Sequence, residues 1–164
     1  MVSVAYCACA CGEGGAAASL GLAMAILRNA QRIMKFVTNG PSFDSVMTKV
    51  EVVAASHGKC RCEVTLDESH LNRGGSLHGG FTATLVDSVS TVAVMCADKP
   101  PGVSVDMNIT YLSPAKEGDI IEIDAECLKV GKTLAFATVD IRNKSNGDRL
   151  VAQGRHTKHI AQQS

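Results

Sequence analysis

The chain has 164 residues, 46% of them hydrophobic, which is enough for one domain with a substantial core. It has no Trp, four Phe and two Tyr, so we expect a core of mainly aliphatic side chains. Acidic and basic residues balance at 16 each. This balance argues against nucleic acid as a partner, and an anionic ligand would have to be held by a local basic patch.

The N-terminal segment divides into a leader and a helix. Residues 1–19 are rich in Gly, Ala and Cys and lack a sustained period, so we expect a disordered or processed leader. Its motif CACAC at 7–11 has too few ligands for a metal–thiolate cluster. Residues 20–38 predict a basic amphipathic helix, and residues 39–162 predict the folded domain.

The pattern of this helix bears on the cellular compartment of the protein. One face carries apolar residues and another carries basic ones: Leu20, Met24, Leu27 and Met34, then Arg28, Arg32 and Lys35. An acid-poor leader before such a helix is compatible with a mitochondrial presequence. An ordinary helix packed on the domain, behind a variable leader, is the alternative. The apolar run at 16–27 is too short for a transmembrane segment.

Four cysteines lie in periodic apolar segments, where a reduced cysteine acts as a small hydrophobic residue: Cys60, Cys62, Cys96 and Cys127. Their spacing gives neither a zinc pattern nor a disulfide framework, so no metal is expected. A reducing, cytoplasmic location is therefore favoured, with mitochondrial association or import as the alternative.

From residue 42 onward the pattern changes to short alternating runs around one long helix. Residues 46–54 and 59–66 predict a hairpin, and a glycine-rich loop at 72–80 leads into a helix from Gly79 to Cys96. Four further strands are predicted near 102–112, 119–129, 132–143 and 149–160. This order predicts an α+β fold with a curved, mostly antiparallel sheet around a central helix.

The strand at 103–111 alternates most clearly. Its apolar residues face one way and its polar residues the other: Val103, Val105, Met107, Ile109 and Tyr111 against Ser104, Asp106, Asn108 and Thr110.

The central helix carries one unexpected charge. Between Arg73 and Asp98 the only charged residue is Asp87, and no Lys or Arg lies three or four residues away to pair with it. An unpaired carboxylate on an apolar helix either takes up a proton or finds hydrogen-bond donors. Its helical neighbours are small, which suits close approach of another group. The alternative is that Asp87 faces solvent or caps another element.

His78, Gly79 and Gly80 precede this helix. The first amides of a helix lack partners within it, and glycines let a ligand approach them. A carbonyl oxygen bound there would lie in an oxyanion hole. Asp87, about two turns further along, would hold or deprotonate a water aimed at that carbonyl. The glycines alone would also suit a flexible loop and an N-cap.

Other nucleophile schemes are weaker. His78 stands where the last glycine of a G-x-S-x-G elbow would be, and apolar surroundings predict an inert thiol at Cys96.

Three blocks together with Asn72 resemble the hotdog-fold acyl-coenzyme A thioesterases: LHGGFTATLVD at 77–87, PGVSVDMNITYLSPAK at 101–116 and AQGRHTKH at 152–159. The resemblance covers about residues 27–159. It implies a hotdog fold and homotetramers, assembled as dimers of hotdog dimers with sites at the subunit interface.

The resemblance also assigns roles. Asp87 matches the carboxylate that activates the hydrolytic water, and Ser104 matches the hydroxyl that helps to position it. Gly79 matches the amide that polarises the thioester carbonyl, and Asn72 and His78 match residues that shape and support this pocket. The implied coenzyme A contacts are Ser104, Asp106, Tyr111, Leu112, Ser113, Pro114, Ala115, Lys116, Lys129, Val130, Gly131, Lys132, Thr133, Leu134 and His159.

The expected activity is hydrolysis of medium- to long-chain fatty acyl-coenzyme A to free fatty acid and coenzyme A. No cofactor is expected, because coenzyme A is part of the substrate. One alternative is a hotdog dehydratase of hydroxyacyl thioesters with His78 as its base. Another is a non-catalytic scaffold that binds acyl-coenzyme A.

Overall fold

The computed structural model describes residues 14–160, with side chains from residue 21 on. Two helices and six strands follow in chain order: α1 (Gly14–Thr38), β1 (Glu51–Ser56), β2 (Lys59–Thr65), α2 (Gly79–Met95), β3 (Val103–Tyr111), β4 (Ile120–Val130), β5 (Leu134–Asn143) and β6 (Arg149–His159). Short 3-10 helices lie at Phe43–Met47 and Glu68–His70.

The six strands form one antiparallel sheet in the order β1-β2-β4-β5-β6-β3, which curves around α2. Leu85, Val86 and Val89 of α2 are fully buried against the sheet. At Gly154 on β6 an added Cβ would lie 2.5 Å from Val86 Cγ1, so only glycine allows this close approach. The predicted α+β hotdog architecture is confirmed, and the predicted strands agree with β1–β6 within a few residues, apart from the start of the first.

The first predicted strand begins too early. Residues 46–50 were expected to be extended, but Phe43–Met47 is a 3-10 helix. Met47, with no exposed surface, anchors this turn in the core. Burial of one large apolar side chain therefore outweighs the strand pattern, and β1 starts at Glu51.

The N-terminal helix is part of the same core. Ala30 and Met34 are buried in it, and Gln31 Nε2 donates a hydrogen bond to the Val52 carbonyl at 3.1 Å. The helix starts at Gly14, six residues before the expected boundary, since Ala16–Ala18 favour helix. The leader and cysteine predictions for residues 1–13, and the apolar role of Leu20, lie outside the described residues and side chains. Within residues 14–160, no helix has the length and apolarity needed to cross a membrane.

The alternation expected for β3 holds from Asp106 to Tyr111 but is wrong at Ser104. A bulge between Ser104 and Asp106 shifts the register, so that Ser104 pairs with Lys158 and Met107 pairs with His156. Because Lys158 and His156 both face α2, Ser104 lies on the same face as Met107 and Tyr111, opposite to Asp106. β3 is also an edge strand with eight of its nine residues exposed, and only Ile109 is partly buried.

Candidate active site

The carboxylate of Asp87 lies where α2 faces β3 and β6. Its side chain is 47% exposed, and its Oδ1 lies 3.3 Å from Ser104 Oγ, which donates to it. Two further groups come from β6: Lys158 Nζ lies 3.6 Å and His156 Nε2 lies 3.7 Å from the same oxygen. The absence of a partner within the helix was predicted correctly, but Lys158 compensates the charge from a distant strand.

His156 is enclosed between two hydroxyl groups. Its Nδ1 lies 2.7 Å from Ser90 Oγ and its Nε2 lies 2.9 Å from Ser104 Oγ. Burial first, and then the charge of Lys158, lower the pKa of His156 below its ordinary 6.5. The imidazole is therefore neutral at pH 7, and it connects α2 to the hydroxyl that contacts Asp87.

The site predicted from sequence did not include Ser90, His156 or Lys158. The available signal was the alternation in β6, since Gly154, His156 and Lys158 are two residues apart and share one face. A glycine on that face suggests close packing, but only the fold reveals that α2 is the packing partner.

A second group of predicted residues surrounds the start of α2. His78 caps the helix, and its Nδ1 accepts a hydrogen bond from the Gly80 amide at 2.9 Å. Among residues 14–160, the Gly79 amide donates no hydrogen bond. Tyr111 Oη donates to the Gly79 carbonyl at 3.2 Å. Gly79 therefore offers a free helix amide next to the phenol of Tyr111.

Asn72 shapes the approach to this amide. Its Oδ1 accepts hydrogen bonds from the Gly74 amide at 2.8 Å and the Ser76 amide at 3.3 Å, which closes the loop before α2. The loop borders a cavity of about 400 Å³ that also reaches the end of β3: Asn72, Leu77, Gly79, Thr82, Tyr111, Leu112, Ser113, Pro114 and Val151.

The two groups do not meet within one chain. Gly79 and Asp87 are eight residues apart on one continuous helix, which separates them by about 12 Å along its axis. A carbonyl group in contact with the Gly79 amide is therefore out of reach of a water held by Asp87 of the same chain. That both groups act on one carbonyl stays a prediction, and it would need the amide of one copy of the chain and the carboxylate of another, as in the subunit-interface sites that the resemblance implies.

The residues expected to bind coenzyme A are divided in the same way. Tyr111–Pro114 lie beside Gly79. Ala115 follows and is buried, and the amide of Lys116 donates a hydrogen bond to Asp119 Oδ2. The turn of residues 129–134 lies at the opposite end of β3, because Leu134 and Val103 both pair with His159. Asp106 lies on the face of β3 away from α2.

An apolar groove opens next to Asp87. It has a volume of about 480 Å³ and runs between α1 and α2, with Asp87 among its lining residues. Most of its wall is aliphatic or aromatic: Ile33, Met34, Phe36 and Val37 from α1, and Val92 and Met95 from α2. The groove therefore places an apolar surface beside a carboxylate.

The described cysteines do not contribute a nucleophile. Cys60, Cys62, Cys96 and Cys127 are all free, and burial raises the pKa of Cys96 to about 11. Its thiol is therefore inert at neutral pH, as the sequence predicts. Among residues 14–160, no group of three or more His, Cys, Asp or Glu side chains is arranged to hold a metal ion.

Comparison with known proteins gives concordant matches. A family model described as the Thioesterase superfamily matches residues 74–155. Mouse acyl-coenzyme A thioesterase 13 is 56% identical over 137 residues, which cover 83% of this chain and 97% of the relative. The crystal structure of zebrafish thioesterase superfamily member 2 is 55% identical with a TM-score of 0.79, covering 82% of this chain and 98% of that one. A hypothetical thioesterase protein of Streptococcus pneumoniae, solved with coenzyme A, is 30% identical with a TM-score of 0.68, covering 73% and 92% of the two chains.

Proposed function

Because this chain belongs to the thioesterase superfamily, we propose that it hydrolyses fatty acyl-coenzyme A to free fatty acid and coenzyme A. The observation that carries this proposal is the half-exposed Asp87 carboxylate, held beside Ser104 at the wall of an apolar groove. Relatives named as acyl-coenzyme A thioesterases and a structural neighbour solved with coenzyme A support the substrate class.

The proposed reaction uses water as its second substrate and needs no cofactor. Asp87 accepts a proton from a water molecule that Ser104 helps to position, and the water oxygen attacks the thioester carbonyl carbon. The carbonyl oxygen takes up negative charge against the Gly79 amide at the helix start. The tetrahedral intermediate then collapses, the C–S bond breaks, and the thiolate of coenzyme A leaves and takes up a proton.

Because Asp87 and Gly79 of one chain are about 12 Å apart, the proposed site needs two copies of the chain, which would form a homodimer. In a two-fold arrangement, the exposed β3 edges of two copies pair antiparallel and their α2 helices lie antiparallel. Gly79 of one copy then approaches Asp87 of the second copy. The open edge of β3 and its exposed Val103 and Val105 support this, because an apolar edge left in water favours association.

The same two-fold arrangement would combine the divided coenzyme A residues. Tyr111–Pro114 of one copy would join the turn of residues 129–134 of the other, where Lys129 and Lys132 offer positive charge to phosphate. Two such dimers would form the tetramer implied by the family.

The groove supports a preference for medium to long acyl chains. Its volume of about 480 Å³ lies in the range of pockets that bury most of a drug-sized ligand, and its wall is largely apolar. An acyl chain leaving the carbonyl near Asp87 would contact Val37, Val92 and Met95.

Four free cysteines among the described residues also support a reducing, cytoplasmic compartment.

The second candidate, a dehydratase, is less well supported. The Nδ1 of His78 already accepts the Gly80 amide, so this nitrogen is not available as a base. His156 lies 3.7 Å from Asp87, but its side chain is fully buried, so a substrate in the groove would not contact it.

Release of free thiol from a series of acyl-coenzyme A substrates distinguishes these functions. Hydrolysis predicts one thiol and one fatty acid per substrate consumed. A dehydratase would form an unsaturated thioester from a hydroxyacyl substrate without free thiol. Tight binding without either product would instead indicate a scaffold and would contradict the proposal.

A further inference from the structure

Lys158 is a nearly buried cation in the middle of the proposed site. Its side chain is 5% exposed, although lysine is almost never enclosed unless its charge is paired. Its Nζ lies 3.6 Å from Asp87 Oδ1 and 3.5 Å from Ser104 Oγ. Among residues 14–160, no other Lys or Arg comes within 4.0 Å of the Asp87 carboxylate.

The groups facing Asp87 leave Lys158 as its counter-ion. His156 is neutral at pH 7, because burial and the Lys158 charge lower its pKa. Ser104 is uncharged, and Asp106 lies on the other face of β3. Arg32 and Asp44 line the same groove, but neither forms an ion pair with Asp87 in the described part of the chain.

The exposure of the two partners differs. Asp87 is about half exposed and can be hydrated in the free protein, whereas Lys158 is already shielded from water. When an acyl chain fills the groove, the carboxylate loses hydration, and an apolar surrounding favours its protonated form. A protonated Asp87 does not accept a proton from water. A counter-ion that stays beside Asp87 when water leaves the site favours the ionised carboxylate.

Stability alone does not require a charge at this position. A buried ion pair contributes little to folding compared with apolar residues of similar size. Lys158 also contacts the hydroxyl group of Ser104, whose oxygen lies 2.9 Å from His156 Nε2. One ammonium group therefore contacts both side chains that are proposed to hold the water, Asp87 and Ser104.

We propose that Lys158 is a positioning residue that keeps Asp87 ionised and fixes its Oδ1 beside Ser104 while substrate covers the site. This inference rests on the proposed thioesterase function. Lys158 does not touch the reacting carbonyl; it acts through the carboxylate.

The pH dependence of kcat tests this role in Lys158→Met, Lys158→Arg and wild-type protein. For Lys158→Met, the midpoint of the acidic limb of the kcat profile should move to higher pH by about one unit. Its kcat should therefore be about tenfold below that of wild type at acidic pH and return to the wild-type value at alkaline pH. Lys158→Arg should keep the wild-type midpoint. Lys59→Met, which removes an exposed lysine on β2, is the matched control and should leave the profile unchanged. An equal loss of kcat at every pH would indicate a merely structural role and overturn the inference.

A second measurement does not depend on a folded Lys158 variant. The pKa of Lys158 is read by NMR of protein labelled with carbon-13 at lysine Cε, in wild type and in Asp87→Asn. Burial lowers the Lys158 pKa and Asp87 raises it, so loss of the carboxylate should lower the pKa further. Equal values would overturn the inference, even if the wild type hydrolyses acyl-coenzyme A. If the values differ but wild type releases no thiol, the proposed function fails and the ion pair stands.

Discussion

Two inactive variants of this chain are expected to restore activity when they are produced together. Asp87→Asn removes the proposed base. Gly79→Val is expected to crowd the amide at the helix start: a Cβ there would be in van der Waals contact with the Tyr111 ring at 3.5 Å, and two further methyl groups would take up room in the cavity that Gly79 lines. Each variant alone should be nearly inactive.

The expected recovery follows from the helix geometry. Because Gly79 and Asp87 are about 12 Å apart on one helix, each site of the proposed dimer would take the amide from one copy and the carboxylate from the other. Random pairing makes about half of the dimers hybrids, and each hybrid has one intact site and one doubly altered site. Activity should therefore return to roughly a quarter of the wild-type value.

The assay is thiol release by co-expressed and co-purified chains that carry different tags. Asp87→Asn combined with Ser104→Ala is the matched control. These side chains lie 3.3 Å apart in one copy, so no hybrid site would contain both intact, and activity should not return. If Asp87→Asn with Gly79→Val also stays at the level of the separate variants, the two-copy site is refuted.

Two further predictions concern the groove and the buried histidines. Met95→Trp should fill part of the groove and lower kcat/KM for a hexadecanoyl thioester by about fourfold per excluded methylene, at about 0.8 kcal/mol each, while a hexanoyl thioester is little affected. Leu22→Trp on the exposed side of α1 is its control, and equal losses for both chain lengths would contradict the acyl groove. Burial lowers the pKa of His70 and His156, so the folded state binds fewer protons than the unfolded state below pH 6.5. The free energy of unfolding should therefore be constant above pH 6.5 and fall below it by up to about 1.4 kcal/mol per pH unit for each histidine, in urea titrations between pH 5 and 7.5. A constant value over that range would contradict their burial in the neutral form.

Much of the fold was readable because its signals are local. The apolar pattern of α2 and the turn-separated strands β3–β6 follow from periodicity. Asp87 was identifiable as a lone charge on an apolar helix, and Gly79 as a free helix amide. These arguments need only residues that are close together in sequence.

Long-range packing accounts for what the sequence did not reveal. The bulge beside Ser104 reverses its face, and no local pattern predicts it. Lys158 and His156 join Asp87 only because β6 pairs with β3 and crosses α2 at Gly154. The separation of Gly79 from Asp87 could be predicted from their spacing in the sequence. That prediction uses the rise per residue of an α-helix and not the pattern of residue types.

Steady-state hydrolysis of a long-chain acyl-coenzyme A by Asp87→Asn and by wild type tests most directly whether Asp87 activates the hydrolytic water. Asn has the same shape as Asp but does not accept a proton from water, so kcat should fall on the order of 10²–10⁴-fold while KM stays nearly constant. Thermal unfolding of both proteins verifies that the variant is folded. A folded Asp87→Asn protein with near-normal kcat would contradict the central claim that this carboxylate activates the hydrolytic water.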